Sequence, residues 1–196
     1  SADKGITQTD SSVIQNTSSG VVSLANTSND SVTLKNVSNS SGNIEVQSSG
    51  DVLLNGLLQV TAGDVQLQSQ NGNVLFANNA QTSAAGDITV SSGKNIELGG
   101  SYAGKNLSFT AAQNIDGSAS SMTADSLTLT ATSGSIGSSS ALALAGTISE
   151  ISAEAASNIN ITKTGDLNLK TVSAGGNAAL ANTGSGNVKI SDSVSG

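Results

Sequence analysis

The sequence predicts an all-β solenoid, a parallel β-helix of about nine coils, from three observations. Aliphatic residues recur about every 21 positions over the 196-residue chain. Each recurrence opens with a Gly, Asn or Asp turn and continues as a short alternating strand. Proline is absent, and the aromatic content is 2%. A fixed period of this length marks an array of stacked units that bury their apolar faces only against one another.

The first series reads Val22, Ile44, Val65, Ile88, Leu107, Leu127, Ile148, Leu167 and Val188, at intervals of 19 to 23 residues. The second reads Val32, Val52, Val74, Ile96, Ile115, Ile136, Ile159 and Ala178, at intervals of 19 to 23. A weaker third site follows on the longer side of each coil: Val37, Leu58 with Val60, Tyr102, Met122, and Leu142 with Leu144. Two to three short strands per coil result, in a roughly triangular section. Nine coils at ~4.8 Å per strand make a rod about 43 Å long.

The local sequence explains each strand. Gly63-Asp64-Val65-Gln66-Leu67 and Gly86-Asp87-Ile88-Thr89-Val90 are representative. Gly, Asp and Asn make tight bends at low steric cost. The apolar–x–apolar triplet that follows puts both apolar side chains on one face of a strand and the middle residue in solvent. Without proline every backbone N–H is free to join a ladder. Asn43, Asn73, Asn95, Asn106, Asn114, Asn158, Asn177 and Asn187 precede inward positions and are placed to stack as internal amide ladders. After Thr147 the long and short intervals exchange order, so the phase breaks there. Ile151, Ala153 and Ala155 suggest an irregular coil. The rhythm runs from about Val13 to Val194 with no capping sequence, so the chain reads as a slice of a longer filament or as a unit that stacks end to end.

Composition narrows the function classes. Charged residues are 11% of the chain and the net charge is −7, spread as single residues. Seven lysines and no arginine argue against nucleic acid, whose phosphates demand clustered positive charge. No apolar stretch approaches the ~20 residues of a membrane helix, so no membrane insertion is expected. The absence of Cys excludes disulfides, and with no His either, nucleophile–base catalysis lacks its commonest parts. No linker divides residues 1–196, which read as one β-helical domain.

The segments Gly104–Gly117, Asp125–Gly137 and Gly176–Ile190 resemble the repeats of filamentous haemagglutinin-like exoproteins. That resemblance covers most of the chain. It implies a right-handed parallel β-helix, two-partner secretion, a secreted or outer-membrane-associated bacterial surface location, and a role in adhesion, aggregation or biofilm formation. It also implies that the chain is repeat shaft. The family's Asn-Pro-Asn-Gly secretion signature is missing, because the sequence has no proline.

The sequence offers no catalytic, cofactor-binding or metal-binding residues, and no cofactor and no enzyme activity are expected. The best carboxylate pairs are Asp51 with Asp64 and Glu150 with Glu154, and both read more simply as turn formers and solvated surface. One Asp or Asn per coil is too few oxygens for calcium. Seven Asn-x-Ser/Thr acceptors occur at Asn16, Asn26, Asn29, Asn36, Asn39, Asn106 and Asn160, close to chance for this composition. Thr128 and Thr130 stand alone as a Thr-x-Thr pair, which argues against an ice-binding face. The expected partners are surface glycans or proteins held by many weak contacts, with end-to-end or lateral self-association. A secreted amyloid-like fibre subunit is the alternative, and a polysaccharide-acting enzyme a more distant one.

Overall fold

The computed structural model describes residues 4–196, and at Ser120 only the backbone. These residues form nineteen strands and no helix, in a parallel β-solenoid of about nine turns. Every strand pairing is parallel, and each strand pairs with its counterpart one coil away.

Three sheets run along the rod. The first stacks Val22, Ile44, Val65, Ile88, Leu107 and Leu127 in one column. The second stacks Ile6, Val32, Val52, Val74, Ile96, Ile115, Ile136, Ile159 and Ala178. The third stacks Ile14, Val37, Leu58, Thr82, Tyr102, Met122 and Gly146. The interior is one aliphatic column in which Ile44, Val65, Ile88, Ile96, Ile115 and Leu127 are fully buried. Phe76, Tyr102 and Phe109 are buried in it as edge-to-face pairs, with centroids 5.2 to 6.4 Å apart.

The corners are polar and closed by side chains. The Ser69 hydroxyl donates to the Gly50 carbonyl at 2.8 Å and accepts from the Gly72 amide at 3.0 Å. The Ser92 hydroxyl lies 2.9 Å from both the Gly72 and the Asn95 carbonyls, which share its one proton, and it accepts from the Lys94 amide at 3.2 Å. The backbone polar groups of a buried turn are thereby satisfied without water. Gly42 (φ +98°) lies so close to the rung below that a Cβ would strike the Gly20 carbonyl.

The structure revises the sequence reading at four places. The second series begins one coil earlier, at Ile6, hidden by a 26-residue interval to Val32. Val13 points outward, and Ile14 takes the third-sheet position. Leu142 and Leu144 belong to the second sheet, where Leu142 pairs with Ile161 and Leu144 with Lys163. The cause is an outgrowth, Ser138–Ala141, after which the chain returns to the same face. Ile151, not Ile148, sits on the Leu127 rung, while Ile148 stacks on Ala124. The phase break near Thr147 is therefore that outgrowth followed by a tight corner. Thr164–Asp166 carry no strand, and the first-sheet register shifts between Ile151 and Ala153.

Candidate functional site: the lateral faces

The solenoid exposes three lateral faces and the ridges between them. Two ridges carry ladders of Asx side chains. Preceding the first sheet, Asn43 Oδ1 accepts from the Asp64 amide at 3.0 Å, and Asp64 Oδ1 from the Asp87 amide at 2.8 Å. Asp87 Oδ1 then accepts from Asn106 Nδ2 at 2.8 Å, and Asn106 Oδ1 from the Ser126 hydroxyl at 2.7 Å. Preceding the second sheet, Asp51, Asn73, Asn95, Asn114, Ser135, Asn158 and Asn177 form a second ladder with contacts of 2.7 to 3.2 Å. The expected amide ladders exist, but they are half-buried corner features rather than internal ones. They admit Asp and Ser because the usual donor is a backbone N–H, which needs only a side-chain oxygen opposite it.

The carboxylates singled out in the sequence fall in these ladders. Asp51 lies on the ridge before the second sheet, whereas Asp64, Asp87 and Asp166 lie on the ridge before the first. Asp51 and Asp64 thus occupy different corners. Glu150 and Glu154 share one strand, ~13 Å apart at four residues' rise, and Glu150 pairs with Lys170 at 3.2 Å. Among the described residues, no three His, Cys, Asp or Glu side chains gather where a metal could sit. Of the Asn-x-Ser/Thr acceptors, Asn26 and Asn39 are buried and hydrogen-bonded, and Asn106 is committed to the ladder. Asn29 is exposed.

The second face carries a pair of like charges. Glu97 and Asp116 are cross-strand neighbours there. Burial, and then the Asp116 charge, raise the Glu97 carboxyl above its ordinary value. Asp116 accepts from the Ser138 amide at 2.5 Å and from its hydroxyl at 2.6 Å, which anchors the outgrowth.

The first face is different. Its outward side chains form two columns in unbroken register: Glu45, Gln66, Thr89, Ser108, Thr128, Ser152, and Gln47, Gln68, Ser91, Thr110, Thr130, Glu154. The four central rungs carry only amides and hydroxyls. Shallow grooves run along these columns, one lined by Gln47, Gln66, Gln68, Thr89 and Ser91, another by Thr128, Thr130, Ser152 and Glu154. Sequence reasoning took Thr128 and Thr130 as isolated. The register places Thr89/Ser91 and Ser108/Thr110 on the same columns, so the pair is one of three hydroxyl pairs. The signal was present as the polar residue inside each triplet together with the one two positions later.

No family model, curated protein or solved structure matches this chain.

Proposed function

We propose that this chain is a shaft segment of a filamentous bacterial surface adhesin, of the kind that filamentous haemagglutinin-like exoproteins represent. On this reading it is secreted and held at the outer membrane, and it works mechanically. It carries other parts of its parent protein outward and offers long lateral faces to glycans or proteins on neighbouring surfaces. The observation that carries the reading is the uninterrupted parallel stack. A closed aliphatic core runs through it from Val32 to Val172, and its exterior is formed of ridges and flat polar faces rather than a cleft. Such a surface binds by repetition, so that many weak contacts sum to useful avidity at high density.

The test is adhesion of beads coated with the protein at graded densities to bacterial and epithelial cell layers. Retention under flow that rises steeply with coating density supports the reading. Retention equal to that of uncoated beads at every density overturns it.

A further inference from the structure

We propose that the recess beside the Ser138–Ala141 outgrowth, on the second face, is a binding site for one neutral sugar residue of a glycan chain. The inference rests on the adhesin reading and gives it a site and a ligand class.

The outgrowth places nothing in the core. Ser138, Ser139 and Ser140 are exposed, and the chain leaves the second sheet after Ile136 only to rejoin it at Leu142. It is nevertheless held in one shape. Gly137 takes a left-handed φ of +70°, and a Cβ there would strike the Asn160 carbonyl. Asp116 accepts from the Ser138 amide and hydroxyl, and from the Ser139 amide at 3.4 Å. The other gaps between described strands are corners from one sheet to the next, so this wall has no counterpart on the first or third face. A pinned loop on a rigid scaffold is where binding residues concentrate.

The wall bounds a recess of about 260 Å³. Gly137 and Ser138 form one side, Asn160 and Ala179 the floor on the next two rungs, and Asn158 and Asn177 the ridge side. Ala179 is small, which leaves the floor open. The ladder uses Asn158 Oδ1 for the Asn177 amide at 2.9 Å. Asn158 Nδ2 and the carboxamides of Asn160 and Asn177 have no partner among the described residues. Three carboxamides with free ends therefore converge on one recess.

Chemistry selects the ligand. A carboxamide sets donor and acceptor side by side, and a sugar hydroxyl is both. No charged side chain lines the recess, while Asp116 and Glu97 stand on the two preceding rungs. An anion is repelled there, and a cation finds no carboxylate in the lining. The volume lies below the ~300 Å³ at which pockets for drug-sized ligands begin, which suits one sugar residue. Phe76, Tyr102 and Phe109 are the only aromatic residues and all are buried, so no ring is left to stack on the sugar. Affinity is accordingly ~1 mM, useful only in multiples.

A chemical-shift titration of the isotope-labelled chain reads the site. The probes are glucose, galactose, mannose and N-acetylglucosamine, each taken to about 50 mM, well above such a constant. Expected are saturating shifts of the Ser138 amide and the Asn160 side-chain amide with at least one of them, and none with glucuronate. Ala179→Gln fills the floor from an exposed position and weakens binding at least about tenfold. Thr123→Gln on the third face leaves binding unchanged. No saturable shift with any probe, shifts that Ala179→Gln keeps, or an equal response to glucuronate overturns the proposal. The titration involves no cell surface. A chain that takes the sugar but fails the bead assay leaves this site standing without the adhesin reading, and bead retention without sugar binding overturns the site alone.

Discussion

Lys163 stands in an aliphatic column between Leu144 and Asn182, and its ammonium donates to the Gly146 carbonyl at 2.7 Å. A second donation, to the Thr164 carbonyl at 2.6 Å, completes the contact. Gly146 is the last paired residue of the third sheet's inward column, and the next coil turns the corner at Thr164–Asp166 without a strand. The ammonium replaces the backbone donor that a regular rung would have supplied. At 1% exposure it does so inside the core.

Lys163→Met should destabilise the protein by about 2 kcal/mol, because two carbonyls lose a donor while the apolar volume is kept. Desolvation lowers the Lys163 pKa, with Asp166 opposing it. Between that lowered value and the unfolded value of ~10.4, the unfolded chain binds more protons, so stability rises with pH. Denaturant melts from neutral to alkaline pH should show wild type gaining on the variant through that window. A difference that stays constant there would rule out the desolvation account.

Asn95 sits in mid-ladder. Its Oδ1 accepts from the Asn114 amide at 3.0 Å, and its Nδ2 donates to Asn73 Oδ1 at 3.2 Å. Asn95→Ala should cost about 1–2 kcal/mol, and Asn95→Asp less, since the acceptor survives. Hydrogen exchange at the Asn114 amide reads the local effect and should accelerate in the alanine variant first.

Phe109 is fully buried and meets the rings of Phe76 and Tyr102 at 6.4 and 5.3 Å. Phe109→Ala should cost about 3–5 kcal/mol. A Phe109→Leu variant losing as much as the alanine variant would show that ring contacts, rather than the cavity, dominate.

Glu97→Gln should stabilise the protein at pH 7 by a few tenths of a kcal/mol, the scale of an exposed like-charge pair across strands. The sign follows from the raised Glu97 pKa. The folded chain holds its proton longer than the unfolded one, so the stability present below the unfolded carboxyl value of ~4.3 is lost as pH rises through the folded value. The advantage of the glutamine variant should accordingly fade on acidification. Thermal melts at pH 7 and pH 4 compare the two.

Most of the fold was legible because a solenoid repeats its own signal. Val32 through Ala178 could be read as one column, since β-branched residues and Asx turns recur in constant order along it. Legibility failed where an interval changed for a reason outside the repeat. Ser138–Ala141 loops out and comes back to the same sheet, so Leu142 looked like the third site of its coil. Ile6 was missed because two long corners in the first coil stretch its interval. The first-face columns were only half visible. Serine and threonine are equivalent there as hydroxyls, and pairing Thr89 with Ser108 requires the register, not the letters. Lys163 gave no signal, because a lysine in an alternating strand reads as solvent-facing.

The Asx ladders also give the rod a direction. In each contact the oxygen belongs to the coil nearer the amino terminus and the donor to the coil after it, from Asn43 to Asp64 and from Asn158 to Asn177. A cut between two coils that share a ladder therefore leaves unlike ridges, side-chain oxygens on the one and their donors on the other. The ridges enforce a one-way grammar on how coils succeed each other, much as base-pairing polarity does for a nucleic acid strand.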